Sequence, residues 1–266
     1  VTAVRRLRLA TWNVNSLRAR LERVGEWMRE IEPDVLCLQE TKLADAAFPV
    51  EWFSSRGYES AHHGSGQWNG VAVVSRVGLG DVERAMGPGT EALSESRFVA
   101  ATCGPLRVAS VYVPNGRSLE SEHYQTKLAW LRELAALAAS ERERGTSLAL
   151  CGDFNVAPDD RDVWDPSAFE GATHVSEPER EALRALEREG LVDAFRVLYD
   201  QPGLFSWWDY RGGSFHQHRG MRIDLVLVSE SLRDRVRWAV VDRNARKGGK
   251  ENQPSDHAPV VVDLEL

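Results

Sequence analysis

Short apolar runs, each closed by polar or turn-forming residues, recur along the chain up to Leu266. Those at 35–38, 148–151 and 258–262 are too short for helices and read as buried strands. Stretches at 70–75, 98–102, 107–113, 223–228 and 236–241 are rich in β-formers and predict further strands. Helical spacing appears in three places. Leu21, Val24, Trp27, Met28 and Ile31 share one face of a helix that Pro33-Asp34 stops ahead of the strand at 35–39. Tyr124, Leu128, Leu131, Ala135 and Ala138 line a longer helix over roughly 121–144, which Gly145 ends before a strand at 147–151. A third helix starts at Ser176, an N-cap with Glu179 three residues on, and runs to near Gly190. These stripes are core-packing faces. No internal period and no linker-like segment divides the chain, so the expectation is one domain over 1–266. Residues 156–175 and 205–222 carry aromatics, Gly and His without periodicity, the pattern of long loops that surround a site.

Four polar clusters sit at the edges of the apolar runs: Trp12-Asn13-Val14-Asn15, Gln39-Glu40-Thr41, Gly152-Asp153-Phe154-Asn155 and Ser255-Asp256-His257. Glu40 and Asp153 follow their strands, whereas Asp256 and His257 precede theirs, so a mixed or antiparallel sheet gathers all four at one rim. That rim is predicted to bind a metal ion.

Composition narrows the class. A chain of 266 residues with 42% hydrophobic content buries a substantial core. No run approaches the roughly 20 apolar residues of a membrane helix, and Arg5, Arg6 and Arg8 lead into a first strand, not a signal peptide. Cys37, Cys103 and Cys151 are odd in number and isolated, which points to core thiols in a reducing cytoplasm and away from a disulfide or zinc site. A net charge of -7 opposes nucleic-acid binding by the surface as a whole. Its distribution differs: acids crowd at Glu177, Glu179, Glu181, Glu187 and Glu189, while Arg243, Arg246, Lys247 and Lys250 form a basic loop before Asp256-His257. That loop is either a positive approach to the rim or a solvated face balancing nearby acids.

The candidate chemistry follows from donor types. Glu40, Asp256 and Asn15 offer oxygen ligands, which suit Mg2+ or Mn2+ and disfavour zinc. Asp153 and Asn155, on a short extended segment, point to one face about 7 Å apart along the chain, one to activate water and one to position it. An ordinary Asp-x-Asn turn is the competing form. His257 needs an orienting partner, and Asp224 in a buried strand supplies one; the alternative pairs Asp224 with Arg222. Tyr112, at a strand end, can donate to a phosphate oxygen or pack inward. Trp207-Trp208, followed by Arg211, offers aromatic and cationic surface for a sugar or base, with one of the two indoles packed in the core. No Gly-x-Ser-x-Gly elbow occurs, and Gly87-Pro88-Gly89 is a loop and no dinucleotide fingerprint.

Taken with 67–72, 112–116, 205–211 and 222–224, these motifs in this order resemble the exonuclease III family of apurinic/apyrimidinic endonucleases, within the endonuclease/exonuclease/phosphatase superfamily. The resemblance covers nearly the whole chain and is closest to the bacterial branch; the eukaryotic branch has Asp at the position of Asn15. It implies a four-layer α/β sandwich, two packed mixed sheets flanked by helices, with the site at one end. It implies Glu40 as Mg2+ ligand, with Asn13 in support and Asn15 and Asp256 near the ion. Asp153 becomes the general base or acid, Asn155 orients water, and Tyr112 and His257 contact the scissile phosphate, with Asp224 holding His257. Trp207 would line an abasic-sugar pocket, and Trp208 would stand beside it where bacterial relatives often carry Phe; the charge pattern itself makes Arg211, Arg246 and Lys247 candidate substrate contacts. The implied activity is Mg2+-dependent cleavage 5' to abasic sites in duplex DNA, with 3'-to-5' exonuclease and 3'-phosphatase or phosphodiesterase action on 3'-blocked ends. The expected setting is a monomer in the cytoplasm, at the nucleoid. The alternatives are a superfamily phosphatase or phosphodiesterase for a small or lipid-linked substrate, and a non-catalytic DNA-binding relative.

Overall fold

The computed structural model describes residues 6–90, 95–249 and 252–266. Arg5 and Lys250 lie outside the described residues. The first sheet contains β1 (Arg6–Asn13), β2 (Val35–Gln39), β3 (Glu59–His63), β4 (Val71–Ser75), β11 (Val236–Val241) and β12 (Val260–Glu265), in the order β11-β12-β1-β2-β4-β3. The second contains β5 (Gly80–Glu83), β6 (Phe98–Cys103), β7 (Leu106–Tyr112), β8 (Leu148–Asp153), β9 (Leu191–Asp193) and β10 (Asp224–Ser229), in the order β5-β6-β7-β8-β10-β9. Each sheet has one parallel pair at its centre, β1 with β2 and β7 with β8, and antiparallel neighbours on both sides.

A parallel pair needs a crossover, and here each crossover is a helix. α1 (Leu17–Ile31) joins β1 to β2, and α3 (Glu122–Glu143) joins β7 to β8. α1 buries Leu17, Val24, Trp27 and Met28 against the outer residues Ala10, Trp12, Leu36 and Leu38, joined by Phe53 of α2 (Val50–Ser54). Trp130, Leu131 and Leu134 of α3 and Leu183 and Leu186 of α4 (Glu177–Arg188) cover Ala109, Val111, Leu148, Leu150, Leu225 and Leu227 on the second sheet. Between the sheets lie Leu7, Leu9, Val35, Cys37, Val71 and Val73 on one side and Val99, Val108, Ala149, Cys151, Val226 and Val228 on the other. The layers are helix, sheet, sheet, helix, the predicted sandwich. All three cysteines are free and buried. No helix is long and apolar enough to cross a membrane among the described residues.

The expected helices stand at nearly the expected bounds, and α4 carries the full Ser176–Glu179 capping box. The last strand starts later than predicted, at Val260, which leaves His257 and Ala258 in the connection above it.

One buried cluster holds the start of β10 in place. Arg222, 1% exposed, donates to Asp162 at 2.6 Å and to Asp193 at 2.6 Å, and Arg196 of α5 (Ala194–Leu198) also pairs with Asp162. Arg222→Met leaves buried Asp162 with Arg196 alone and Asp193 without its guanidinium, and breaking such a buried pair costs about 3–5 kcal/mol. The expected loss in melting temperature is about 10 °C, measured by calorimetry; a change under about 2 °C would show that the cluster does not anchor the strand.

Candidate active site

Alternation along the strands builds the site. The inter-sheet rows that begin with Leu7 and Leu9, Val35 and Cys37, Val108, and Ala149 and Cys151 continue at the same parity into Asn13, Gln39, Tyr112 and Asp153. β10 runs the other way and starts with Asp224. Pairing sets these residues at one level: Asn13 opposite Gln39, and Asp153 opposite both Tyr112 and Asp224. The inter-sheet space thus ends in a row of polar side chains. Gly152 permits the β7–β8 approach just below Asp153, since a Cβ there would lie 1.9 Å from the Val111 carbonyl oxygen.

A bonded polar layer separates this rim from the apolar interior. Thr11 donates to Gln39 Oε1 at 3.1 Å, Gln39 Nε2 to Ser110 Oγ at 3.0 Å, and Ser110 to the Leu38 carbonyl at 3.0 Å. Every group has a partner, so burial carries no orphan penalty.

Above it, Glu40, Asp153 and His257 each offer a ligand atom within 4.8 Å of the others. Asn13 Nδ2 donates to Glu40 Oε1 at 2.9 Å and to Asp153 Oδ2 at 3.0 Å, and the Tyr112 hydroxyl donates to Glu40 Oε1 at 3.0 Å. The Lys42 ammonium lies 2.9 Å from Glu40 Oε2 and 2.5 Å from Asn15 Oδ1. A cationic group therefore already sits between two oxygen donors, and that donor set fits a hard divalent cation. Glu40 and Lys42 both have left-handed backbones, φ 51° and 53°. Thr41 between them is anchored to His62 at 2.8 Å, and His62 to Asp45 at 2.8 Å.

His257 Nδ1 lies 2.9 Å from Asp224 Oδ2, which also accepts the Ser206 hydroxyl at 2.6 Å. Nε2 points towards Asp153, 3.8 Å away. Burial disfavours charge on His257, but Asp224 and Asp153 outweigh it and push its pKa up to about 10. Asp153 is pushed up to about 7 by burial and by Asp224, against the opposing pull of His257. Burial and the Glu40 charge hold the Tyr112 hydroxyl well above its ordinary range, so it stays protonated.

The structure corrects several expectations. Asp153 and Asn155 do not alternate on an extended segment. Asp153 Oδ1 accepts the Asn155 backbone N–H at 2.9 Å in a tight turn, with Asn155 at φ 50°. β1 ends the same way: Asn13 Oδ1 accepts Asn15 N–H at 3.0 Å, with Asn15 at φ 43°. That bond takes one lone pair of the Asn13 oxygen and turns its amide N–H groups to the carboxylates, so Asn13 orients Glu40 and Asp153. Asp256 lies outside the close set, bonded by Asn15 Nδ2 at 3.0 Å and Trp207 Nε1 at 3.1 Å. The Asp224–Arg222 alternative fails, because Arg222 is taken by Asp162 and Asp193.

Trp207 is half-buried and bridges to His257 through the backbone, beside the rim. Trp208 is the inward indole, 0% exposed against Phe205 and Ala258, too deep to line a pocket. Arg211 is exposed but clasped by Asp209 at 2.7 Å. Arg246 is no free cation: it is buried over the Tyr210 and Phe215 rings as a pillar of its loop. Lys247 is exposed, bonded to Asn244 at 2.7 Å, and lines a cleft of about 630 Å³ with Tyr210, Arg246 and Pro254.

Several neighbours were not singled out from sequence. Lys42 follows the Gln39-Glu40-Thr41 cluster directly, where adjacency was the available signal. Ser206 and His174 lie in the two loops expected around the site, yet nothing local marks them. The His174 ring lies 3.3 Å from Asn115 Nδ2; burial and Lys127 depress its pKa to about 3, so it is neutral.

A model of the Endonuclease/Exonuclease/phosphatase family matches residues 10–257. The chain is 33% identical over 264 residues to an exodeoxyribonuclease of Bacillus subtilis (strain 168), covering 98% of this chain and 100% of that protein. Its fold is similar to that of a 3'-5' exonuclease from Neisseria meningitidis, with TM-score 0.92 and 35% identity over 98% of this chain and 100% of the other. An AP endonuclease from Archaeoglobus fulgidus gives TM-score 0.90 and 33% identity over 98% of this chain and 100% of the other. Family match, sequence likeness and shared architecture agree, and the chain belongs to the endonuclease/exonuclease/phosphatase family, in its exonuclease III branch.

Proposed function

We propose that this protein is a Mg2+-dependent DNA repair nuclease that cleaves the phosphodiester 5' to abasic sites in duplex DNA, with 3'-to-5' exonuclease and 3'-phosphatase action. The observation that carries this reading is the convergence of Glu40, Asp153 and His257 within 4.8 Å at one rim. A divalent cation bound by Glu40, with Asn15 Oδ1 nearby, would polarise a phosphoryl oxygen and offset charge on the leaving group. Asp153 takes the proton of the attacking water, its lone pairs aimed by Asn13 and by the Asn155 turn. His257, held at Nδ1 by Asp224, presents its Nε2–H to a phosphoryl oxygen, and the Tyr112 hydroxyl supplies a second donor. Exposed Lys247 and half-buried Trp207 offer contacts to backbone and sugar.

The test is Mg2+-dependent cleavage of duplexes carrying an abasic analogue, no lesion or a 3'-phosphate, with inositol phosphates as the competing substrate class. Preferential phosphate release from inositol phosphates would favour the small-substrate alternative. Chelator-insensitive DNA binding without cleavage at any Mg2+ concentration would favour the non-catalytic one.

A pH dependence follows. Asp153 must be ionised to accept a proton, and His257 must be protonated to donate. With pKa values of about 7 and about 10, activity rises as pH climbs towards 7 and falls near 10. A bound cation moves the acid limb lower. A pH profile of kcat/KM checks this; activity still increasing beyond pH of about 11 would contradict a protonated His257.

A further inference from the structure

Lys127, on α3, is 0% exposed, and so is its partner Glu179 on α4. The ammonium has three N–H groups and three acceptors: Glu179 Oε1, the Asn155 carbonyl at 2.7 Å and the Asn115 carbonyl at 3.2 Å. Glu179 is equally saturated. Oε1 also accepts His174 N–H at 3.0 Å, and Oε2 accepts the Ser176 N–H at 3.1 Å and hydroxyl at 2.6 Å. The stem of Lys127 supports the Asn115-Gly116 turn, where a Cβ on Gly116 would lie 3.2 Å from Lys127 Cδ.

Stability alone gives weak reason for such a pair, because replacing a buried ion pair with apolar groups of similar volume is often neutral or stabilising. What distinguishes Lys127 is the identity of its acceptors. Asn115 and Asn155 stand on the loops that leave β7 and β8 just beyond Tyr112 and Asp153. Asn155 has a left-handed backbone, φ 50°, and its amide donates to the Val113 carbonyl at 2.9 Å. Asn115 Nδ2 reaches Asn155 Oδ1 at 3.4 Å. One cation beneath the rim therefore ties both loops to each other and, through Glu179, to the loop of His174.

We propose that Lys127 is a positioning residue that, backed by Glu179, clamps the Asn155 and Asn115 carbonyls from below and so sets the Asn155 amide and the Asp153 carboxylate it grips for attack. The proposal rests on the nuclease reading above. A displacement near 1 Å at a reacting group is worth about 100-fold in rate, so Lys127→Met is expected to lower kcat by about 100-fold with KM within about threefold of wild type. A structural role alone would lower the folded fraction and leave kcat per folded molecule unchanged.

Because Lys127→Met strands the Glu179 carboxylate, the charge-free double variant Lys127→Met/Glu179→Gln is measured beside it, with melting temperature and kcat on an abasic-analogue duplex in Mg2+. The expected result is a folded double variant that keeps the kcat deficit. In an Asp153→Asn background, where the carboxylate the clamp positions is gone, the Lys127→Met effect is expected to shrink to under about threefold, since residues acting as a unit are not additive. Folded variants with near-wild-type kcat, or a full Lys127 effect in the Asp153→Asn background, would overturn the proposal. Failure of both Lys127 variants to fold would make it a folding residue and overturn it too. An inert wild type would overturn the nuclease reading, and this one with it; an active wild type with equally active variants would overturn this one alone.

Discussion

Asp153→Asn is expected to lower cleavage by about 10³-fold or more at about pH 8 in saturating Mg2+, while the protein melts no lower than wild type. The substitution keeps the shape of a side chain that is 1% exposed and retains an oxygen to accept the Asn155 N–H; its amide nitrogen then faces the Asn13 donor, a loss outweighed by relief of a buried ionised carboxylate. It removes the one group placed to take a proton from water beside His257. The stability half follows from the raised pKa. A carboxyl that titrates near 7 in the folded state, against about 3.9 unfolded, contributes stability at low pH that is lost as pH rises through 7. Above that, the ionised Asp153 is a cost the fold tolerates, and an amide relieves it. Single-turnover cleavage and calorimetry on the same preparation separate the two effects. A folded variant within tenfold of wild-type turnover would show that Asp153 is not the base.

The parts of this site that were legible in sequence are those dictated by strand periodicity. Glu40 and Asp153 follow their apolar runs and Asp256 and His257 precede theirs, which places all four at one rim from sequence; that Tyr112 and Asp224 lie level with Asp153, and Asn13 with Gln39, comes only from the pairing register. Edge elements were not legible: β5 is mostly exposed, β9 has three residues, and β3 reads Glu-Ser-Ala-His-His, so none presents an apolar run. Turn geometry was missed for a different reason. An Asp or Asn at a strand end can continue extended or accept its own chain two residues on, and both Asn13 and Asp153 took the second course because it satisfies an N–H at a buried rim. Charge in loops was the least legible. Arg246 reads as a free cation until the Tyr210 and Phe215 rings beneath it are seen, and nothing in the sequence marks Lys42, or Lys127 on α3, as holding oxygens at the site.

Glu40→Gln is expected to lower cleavage by about 10³-fold at moderate Mg2+, and to raise the Mg2+ concentration for half-maximal rate by about 100-fold or more. Glu40 is the carboxylate on which Asn13, Tyr112 and Lys42 converge. In the glutamine variant one of its two oxygens becomes an amide nitrogen, which would meet either the Lys42 ammonium or the Asn13 and Tyr112 donors. Either orientation sets donor against donor and removes the negative charge that offsets a cation. The defect is therefore first one of cation affinity, and excess Mg2+ or Mn2+ should restore part of the rate. That distinguishes Glu40 from Asp153, whose substitution removes a proton acceptor that no cation concentration replaces. Mn2+ binding followed by electron paramagnetic resonance reads the same property without turnover, and should weaken for Glu40→Gln far more than for Asp256→Asn, because Asp256 is already bonded by Asn15 and Trp207 outside the close set. Equal weakening by the two substitutions would move the cation away from Glu40 towards Asp256. Unchanged binding in Glu40→Gln would remove it from the ligand set altogether.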